Sequence, residues 1–153
     1  MSEQHSWFVP HRQSPRARLR LYCFPYAGGG ASLFRTWGQF LPETIAVVGV
    51  QLPGRESRLQ EPAFHRLEPM VAALTAALRW HADLPFAFFG HSMGALIGFE
   101  VARSLRRQQL PGPVHLIASG AAAPQIPRRE PPIHGLSDGA FLAELHRLGG
   151  TPQ

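Results

Sequence analysis

The 153 residues predict an α/β fold, a mostly parallel sheet flanked by helices. Two observations carry that expectation. Short runs rich in β-branched and aromatic residues alternate with longer segments of helical periodicity. The short runs are apolar almost throughout, as parallel strands buried on both faces are. Glycine and proline, fifteen of each, punctuate the chain between them and set turns at their ends.

Residues 1–17 are polar and proline-containing and read as a flexible leader. Leu19–Phe24 (LRLYCF) reads as a strand that Pro25 and Gly28-Gly29-Gly30 stop sharply. Leu33, Phe34, Trp37 and Leu41 fall on one side of a helix expected over Ala31–Leu41. Ile45–Gln51 is a continuous apolar run, hence a second buried strand, and Pro53–Glu56 is a turn. Leu67, Met70, Val71, Leu74 and Leu78 keep helical spacing and predict a helix over 67–81. Phe86–Phe89 (FAFF) is a short strand, Gly90–Gly94 a turn, and Ala95–Leu110 a helix apolar around much of its girth. Val114–Ser119 is expected to be another buried strand, which would make His115 a core histidine. After a proline- and arginine-rich loop, 123–136, Ser137 is a plausible N-cap. The last helix then sets Phe141, Leu142, Leu145 and Leu148 on one face, and Gly149-Gly150 closes it.

Composition narrows the class. The formal charge is +5 and every basic residue is arginine, scattered from Arg12 to Arg147. Without a basic stripe interleaved with aromatics, nucleic-acid binding is not expected, although a positive face can attract an acidic protein partner. A single cysteine, Cys23, excludes an internal disulfide and favours a reducing compartment. No signal-like or membrane-length apolar stretch is visible, so a cytoplasmic location without membrane contact is expected. The histidines lack metal-site spacing, and neither a metal nor an organic cofactor is expected.

Gly90-His91-Ser92-Met93-Gly94 fits G-x-S-x-G. The pattern alone is weak; its place between a strand and a long apolar helix is what a nucleophile elbow requires. A strand that reverses into a helix within about two residues leaves no room for flanking side chains, so glycine fills both positions. Ser92 is then presented over a helix N-terminus, whose dipole and free N–H groups favour a developing oxyanion. In such an α/β-hydrolase-type site one oxyanion N–H comes from the residue after the nucleophile, here Met93. The other comes from a glycine-rich loop after an earlier strand, and Ala27, just ahead of three glycines, is placed to supply it. The same glycines do not make a dinucleotide fingerprint, because no glycine stands at position 33, where the third is needed. His91 reads as structural, Cys23 as inert strand interior, and Arg55 and Glu56 as a loop ion pair or as shapers of the site entrance.

FPYAGGGA, LPGRE at 52–56, FGHSMGALIGFEVARSL at 89–105, SGAAAP at 119–124 and LSDGAFLAELHRLGGTP at 136–152 together resemble the type II thioesterases of polyketide and nonribosomal peptide synthetases. The resemblance runs through nearly the whole chain from Leu19 onward. It implies hydrolysis of acyl groups held as thioesters on the phosphopantetheine arm of carrier-protein domains, with a Ser-Asp-His triad under a mobile helical lid. On that basis 18–124 is the N-terminal part of the hydrolase core and 125–153 the start of the lid.

The same resemblance sets the triad acid and histidine on strands and loops that follow the lid, and no segment of this chain looks like them. After Ser92 the sole aspartate is Asp138, and the histidines are His115, His134 and His146. Asp138 and His146 lie on one predicted helix about two turns apart, too far for a relay. The expectation is therefore a fold truncated before its last strands and a nearly inactive chain, because serine without its base is a poor nucleophile. Three other readings stay open. The same serine can serve an acyltransferase, the chain can be a non-catalytic docking module for carrier domains, or it can be a small-molecule esterase.

Overall fold

The computed structural model describes residues 7–81, 83–126, 133 and 135–147. The chain divides into two compact units, residues 1–121 and 122–153. The first contains a five-stranded sheet. Its strands are β1 (Phe8–Arg12), β2 (Leu19–Phe24), β3 (Ile45–Val50), β4 (Phe86–His91) and β5 (Leu116–Ser119). Their order across the sheet is β1-β3-β2-β4-β5. β3, β2, β4 and β5 are parallel, so the carboxyl ends of these strands share one edge. Only β1 is antiparallel, and it lies on the outside of β3.

The expected leader is corrected at this strand. Trp7 and Phe8 bury their rings, and Phe8 packs edge-on against Tyr22 at 5.0 Å between centroids. That burial draws the segment onto the sheet. Pro10 cannot donate to a ladder, which an edge strand tolerates, and the register shifts between Pro10 and Arg12. Residues 1–6 of the leader lie outside the described residues.

Helix α1 (Leu67–Leu78) and helix α2 (Met93–Arg107) pack against one face of the sheet. Leu74, Ile97, Val101 and Leu105 meet Tyr22, Phe24, Val48, Val50 and Phe88 in the main core. Pro69 sits in the first turn of α1, where a missing N–H costs nothing. The other face of the sheet carries a smaller cluster of Leu21, Cys23, Phe34, Val47 and Ala87.

Two further expectations change. The Ala31–Leu41 segment forms two short 3-10 turns, Ala31–Phe34 and Trp37–Gln39, and no α-helix. Its apolar periodicity is met all the same, since Phe34 and Trp37 pack on Phe89. Gly38 lies so close to Arg12 that a Cβ there would overlap the arginine side chain, and the Arg12 guanidinium donates to the Gly38 and Leu41 carbonyls. β5 is not buried: Val114, Leu116 and Ile117 are exposed, and so is His115. Among the described residues it is the outermost strand, bonded to β4 on one side only. A continuous apolar run reports the capacity for burial and not the presence of a covering layer. The core-histidine reading of His115 falls with it.

In the second unit, helix α3 spans Asp138–Arg147. The Phe141 N–H donates to the Ser137 carbonyl at 2.8 Å, which makes Ser137 its N-terminal boundary residue. The expected contribution of Leu148 and the Gly149-Gly150 stop lie outside the described residues.

Candidate active site

β4 ends at His91 and α2 begins at Met93, so a single residue, Ser92, turns the chain between them. Its φ is 52° and its ψ −117°, a left-handed conformation that L-residues avoid. Neighbouring backbone holds it there. The Ser92 N–H donates to the Ser119 carbonyl at 2.8 Å, and the Ser92 carbonyl accepts from the Ala95 N–H at 3.0 Å. Its side chain caps nothing and is exposed. The flanking glycines are required by contact: a Cβ on Gly90 would overlap the Gly94 carbonyl, and one on Gly94 would overlap the carbonyls of Phe24 and Pro25. Strained backbone held by its surroundings is typical of catalytic turns.

The Gly94 contact also locates the glycine-rich loop. β2 and β4 are adjacent and parallel, with Phe24 opposite Gly90. The chain leaving β2 therefore runs directly against the first turn of α2. Ala27 lies in that departing loop and is exposed; Gly28 follows with φ 88°, and the Gly29 N–H closes a turn onto the Tyr26 carbonyl at 3.0 Å. Met93, half-buried, is the first residue of α2, where backbone N–H groups have no intrahelical partner. Ser92, Met93 and Ala27 thus lie at one edge of the sheet. The first turn of α2 holds no acidic side chain to offset its positive end.

Sequence reasoning missed the contacts that brace this edge. His91 Nδ1 lies 3.0 Å from Ser119 Oγ, and its ring meets Tyr26 edge-on at 6.0 Å between centroids. Gly120, at φ 61°, leaves room for that imidazole, which a Cβ would overlap. His91 so ties the glycine-rich loop, the elbow and the end of β5 together. Its structural reading stands, with the addition that it faces the solvent at the sheet edge.

Other candidates separate. Cys23 is fully buried in β2, and burial pushes its thiol up to about 12. Asp138 and His146 stand eight residues apart on α3, roughly 12 Å along its axis, and do not form a relay. Among the described residues no histidine is hydrogen-bonded to Ser92, and no cluster of histidine, cysteine and carboxylate side chains could hold a metal. His134 lies outside the described residues. No helix among them is long and apolar enough to cross a membrane.

The sheet, elbow and glycine-rich loop are those of an α/β-hydrolase-type fold, and the chain belongs to the thioesterase domain family, whose model matches residues 19–153. It is 46% identical over its whole length to the gramicidin S biosynthesis protein GrsT of Aneurinibacillus migulanus, of which it covers 60%. It is 39% identical to the thioesterase PikA5 of Streptomyces venezuelae, with 96% of this chain and 52% of that protein aligned. Among solved structures it superposes on RedJ, a thioesterase from the prodiginine pathway of Streptomyces coelicolor, with a TM-score of 0.81. That match has 46% identity and covers 93% of this chain and 54% of that one. YbtT, a type II thioesterase from the yersiniabactin pathway, gives a TM-score of 0.81 at 30% identity, covering 95% and 59%. The chain thus spans between 52% and 60% of the length of these four relatives.

Proposed function

We propose that the protein serves as a type II thioesterase, hydrolysing acyl thioesters from the phosphopantetheine arms of carrier-protein domains. The observation that carries this reading is the strained Ser92 at φ 52°, set between β4 and α2 beside the glycine-rich loop of a thioesterase-family chain. Ser92 attacks the thioester carbonyl. The N–H groups of Met93 and Ala27 stabilise the oxyanion, in a setting where each such donor is worth about 10²–10³ in rate. Pantetheine thiol leaves, and water releases the acyl group from the serine. The partner is an acyl- or peptidyl-carrier domain, and the compartment is the cytoplasm. Relatives named for gramicidin S and yersiniabactin biosynthesis support the pathway class.

The test incubates the protein with an acyl-loaded carrier domain and a second, unloaded carrier, and follows free acid and both carriers by mass spectrometry. Slow appearance of free acid, lost in Ser92→Ala, supports hydrolysis. Acyl transfer to the second carrier reassigns the protein as an acyltransferase. Binding of the loaded carrier with no Ser92-dependent release makes it a docking module.

A further inference from the structure

The loop after β3 is bolted to the glycine-rich loop after β2 by two side chains that the sheet itself does not need. Gln51 is 1% exposed. Its Oε1 accepts from the Ala31 N–H at 3.0 Å, and its Nε2 donates to the Arg55 carbonyl at 2.7 Å. Glu56 stands next in line with φ 43°, a left-handed backbone that a side chain of its size adopts only under constraint. That backbone aims the carboxylate across the gap. It accepts from the Ser32 N–H at 3.2 Å and from the Ser32 hydroxyl. Gly30 is the third glycine of the run, and a Cβ there would overlap the Glu56 side chain. The opposite side of the same turn is held by His11, whose Nε2 lies 2.6 Å from the Ala31 carbonyl. Gly28 and Gly29 are conformationally free residues, so the position of Ala27 depends on what anchors the loop beyond them.

We propose that Glu56 is a positioning residue: by holding Ser32 and the space beside Gly30, it keeps the Ala27 N–H aimed at the thioester oxygen. This rests on the roles given above to Ser92, Ala27 and Met93. Glu56 touches no substrate. Glu56 is exposed, so solvent screens its charge from the oxyanion. The geometry also explains why a glutamate is kept in a backbone conformation that suits glycine.

The test uses the full chain carrying Ser92→Cys, which gives two reactions at one sulfur. With hexanoyl-pantetheine the thiolate attacks the thioester carbonyl, a new C–S bond forms at position 92, the bond to pantetheine breaks, and the leaving thiolate takes up the proton the cysteine lost. That path develops an oxyanion. Alkylation by iodoacetamide at the same sulfur displaces iodide and develops none. Adding Glu56→Gly suits the left-handed backbone, so the chain is expected to fold. We expect acyl capture to slow about tenfold or more while alkylation stays within about twofold, and Glu56→Gln to recover most of the capture rate. Capture and alkylation falling together, or neither changing, overturns the proposal. If Ser92→Cys captures no acyl group at all, the fault lies with the nucleophile assignment. Amide exchange across Ala27–Ser32 then decides on Glu56. Exchange accelerated by Glu56→Gly and restored by Glu56→Gln upholds the anchoring role; unchanged exchange refutes it.

Discussion

Replacing Ser92 by glycine is expected to stabilise the protein. A non-glycine residue held at φ 52° and ψ −117° carries strain of about 1–3 kcal/mol. Glycine removes it, because it has no Cβ to oppose that conformation, but loses about 0.5–1 kcal/mol through its more flexible unfolded state. The serine side chain offers little in return, since it makes no capping hydrogen bond to α2 and is exposed. The balance is about 1 kcal/mol in favour of Ser92→Gly, a rise in melting temperature of about 3 °C for a domain of this size. Ser92→Ala keeps the Cβ and hence the strain, so it separates the backbone effect from loss of the hydroxyl. Thermal unfolding by circular dichroism of the three proteins at one concentration is the assay. A Ser92→Gly protein that melts at or below Ser92→Ala would refute the claim that the turn is strained. Stability gained on removing this side chain is the trade-off expected of the nucleophile proposed above.

Gly94→Ala places a Cβ against the Phe24 and Pro25 carbonyls, which cannot move without disturbing β2. We expect a loss of about 2–3 kcal/mol in urea unfolding, and a change below about 0.5 kcal/mol would contradict the packing described. Cys23, with its thiol pushed up to about 12 by burial, stays protonated at pH 8–9. Iodoacetamide should therefore leave it unmodified in the native protein and label it readily in denaturant, as intact mass would report; fast native labelling would be inconsistent with its burial. The Arg20 guanidinium donates to both carboxylate oxygens of Asp83, at 2.6 and 3.1 Å, and lowers its pKa. A carboxylate with a lowered folded pKa stabilises the fold above its unfolded value, near 4, and loses that contribution as pH falls through the folded value. Asp83→Asn should leave a shallower acid limb below about pH 4 in a stability-versus-pH series, and an unchanged limb would show the pair to be inert.

The elements that build the site were legible because their signals are local. Ile45–Val50 and Phe86–Phe89 are apolar runs closed by turn residues, and the Gly90–Gly94 spacing reports directly on a turn with no room for Cβ atoms. What stayed hidden depends on partners distant in sequence. Phe8–Arg12 becomes a strand because β3 offers an edge and the core accepts Trp7 and Phe8, neither of which a polar, proline-containing leader announces. The 31–41 segment has helical periodicity, yet Gly38 against Arg12 and the anchoring of Ala31 and Ser32 by Gln51 and Glu56 pull it into 3-10 turns. The exposure of β5 is hidden for the same reason, since an apolar run does not reveal whether a layer covers it. Ser92, Met93 and Ala27 are candidates that follow from the G-x-S-x-G spacing and the glycine-rich loop. The contacts of His91, Ser119 and Glu56 could not, because they join three loops that are separated in the sequence.

The most direct test of Ser92 as the residue that accepts the acyl group is peptide mapping after acyl transfer. The Ser92→Cys protein is incubated with an acyl-loaded carrier domain, digested, and searched for the acyl mass. We expect one acyl group per chain, on the peptide containing position 92, with Cys23 unmodified. An acyl group carried elsewhere, or none at position 92 in a protein that folds normally, would contradict the assignment.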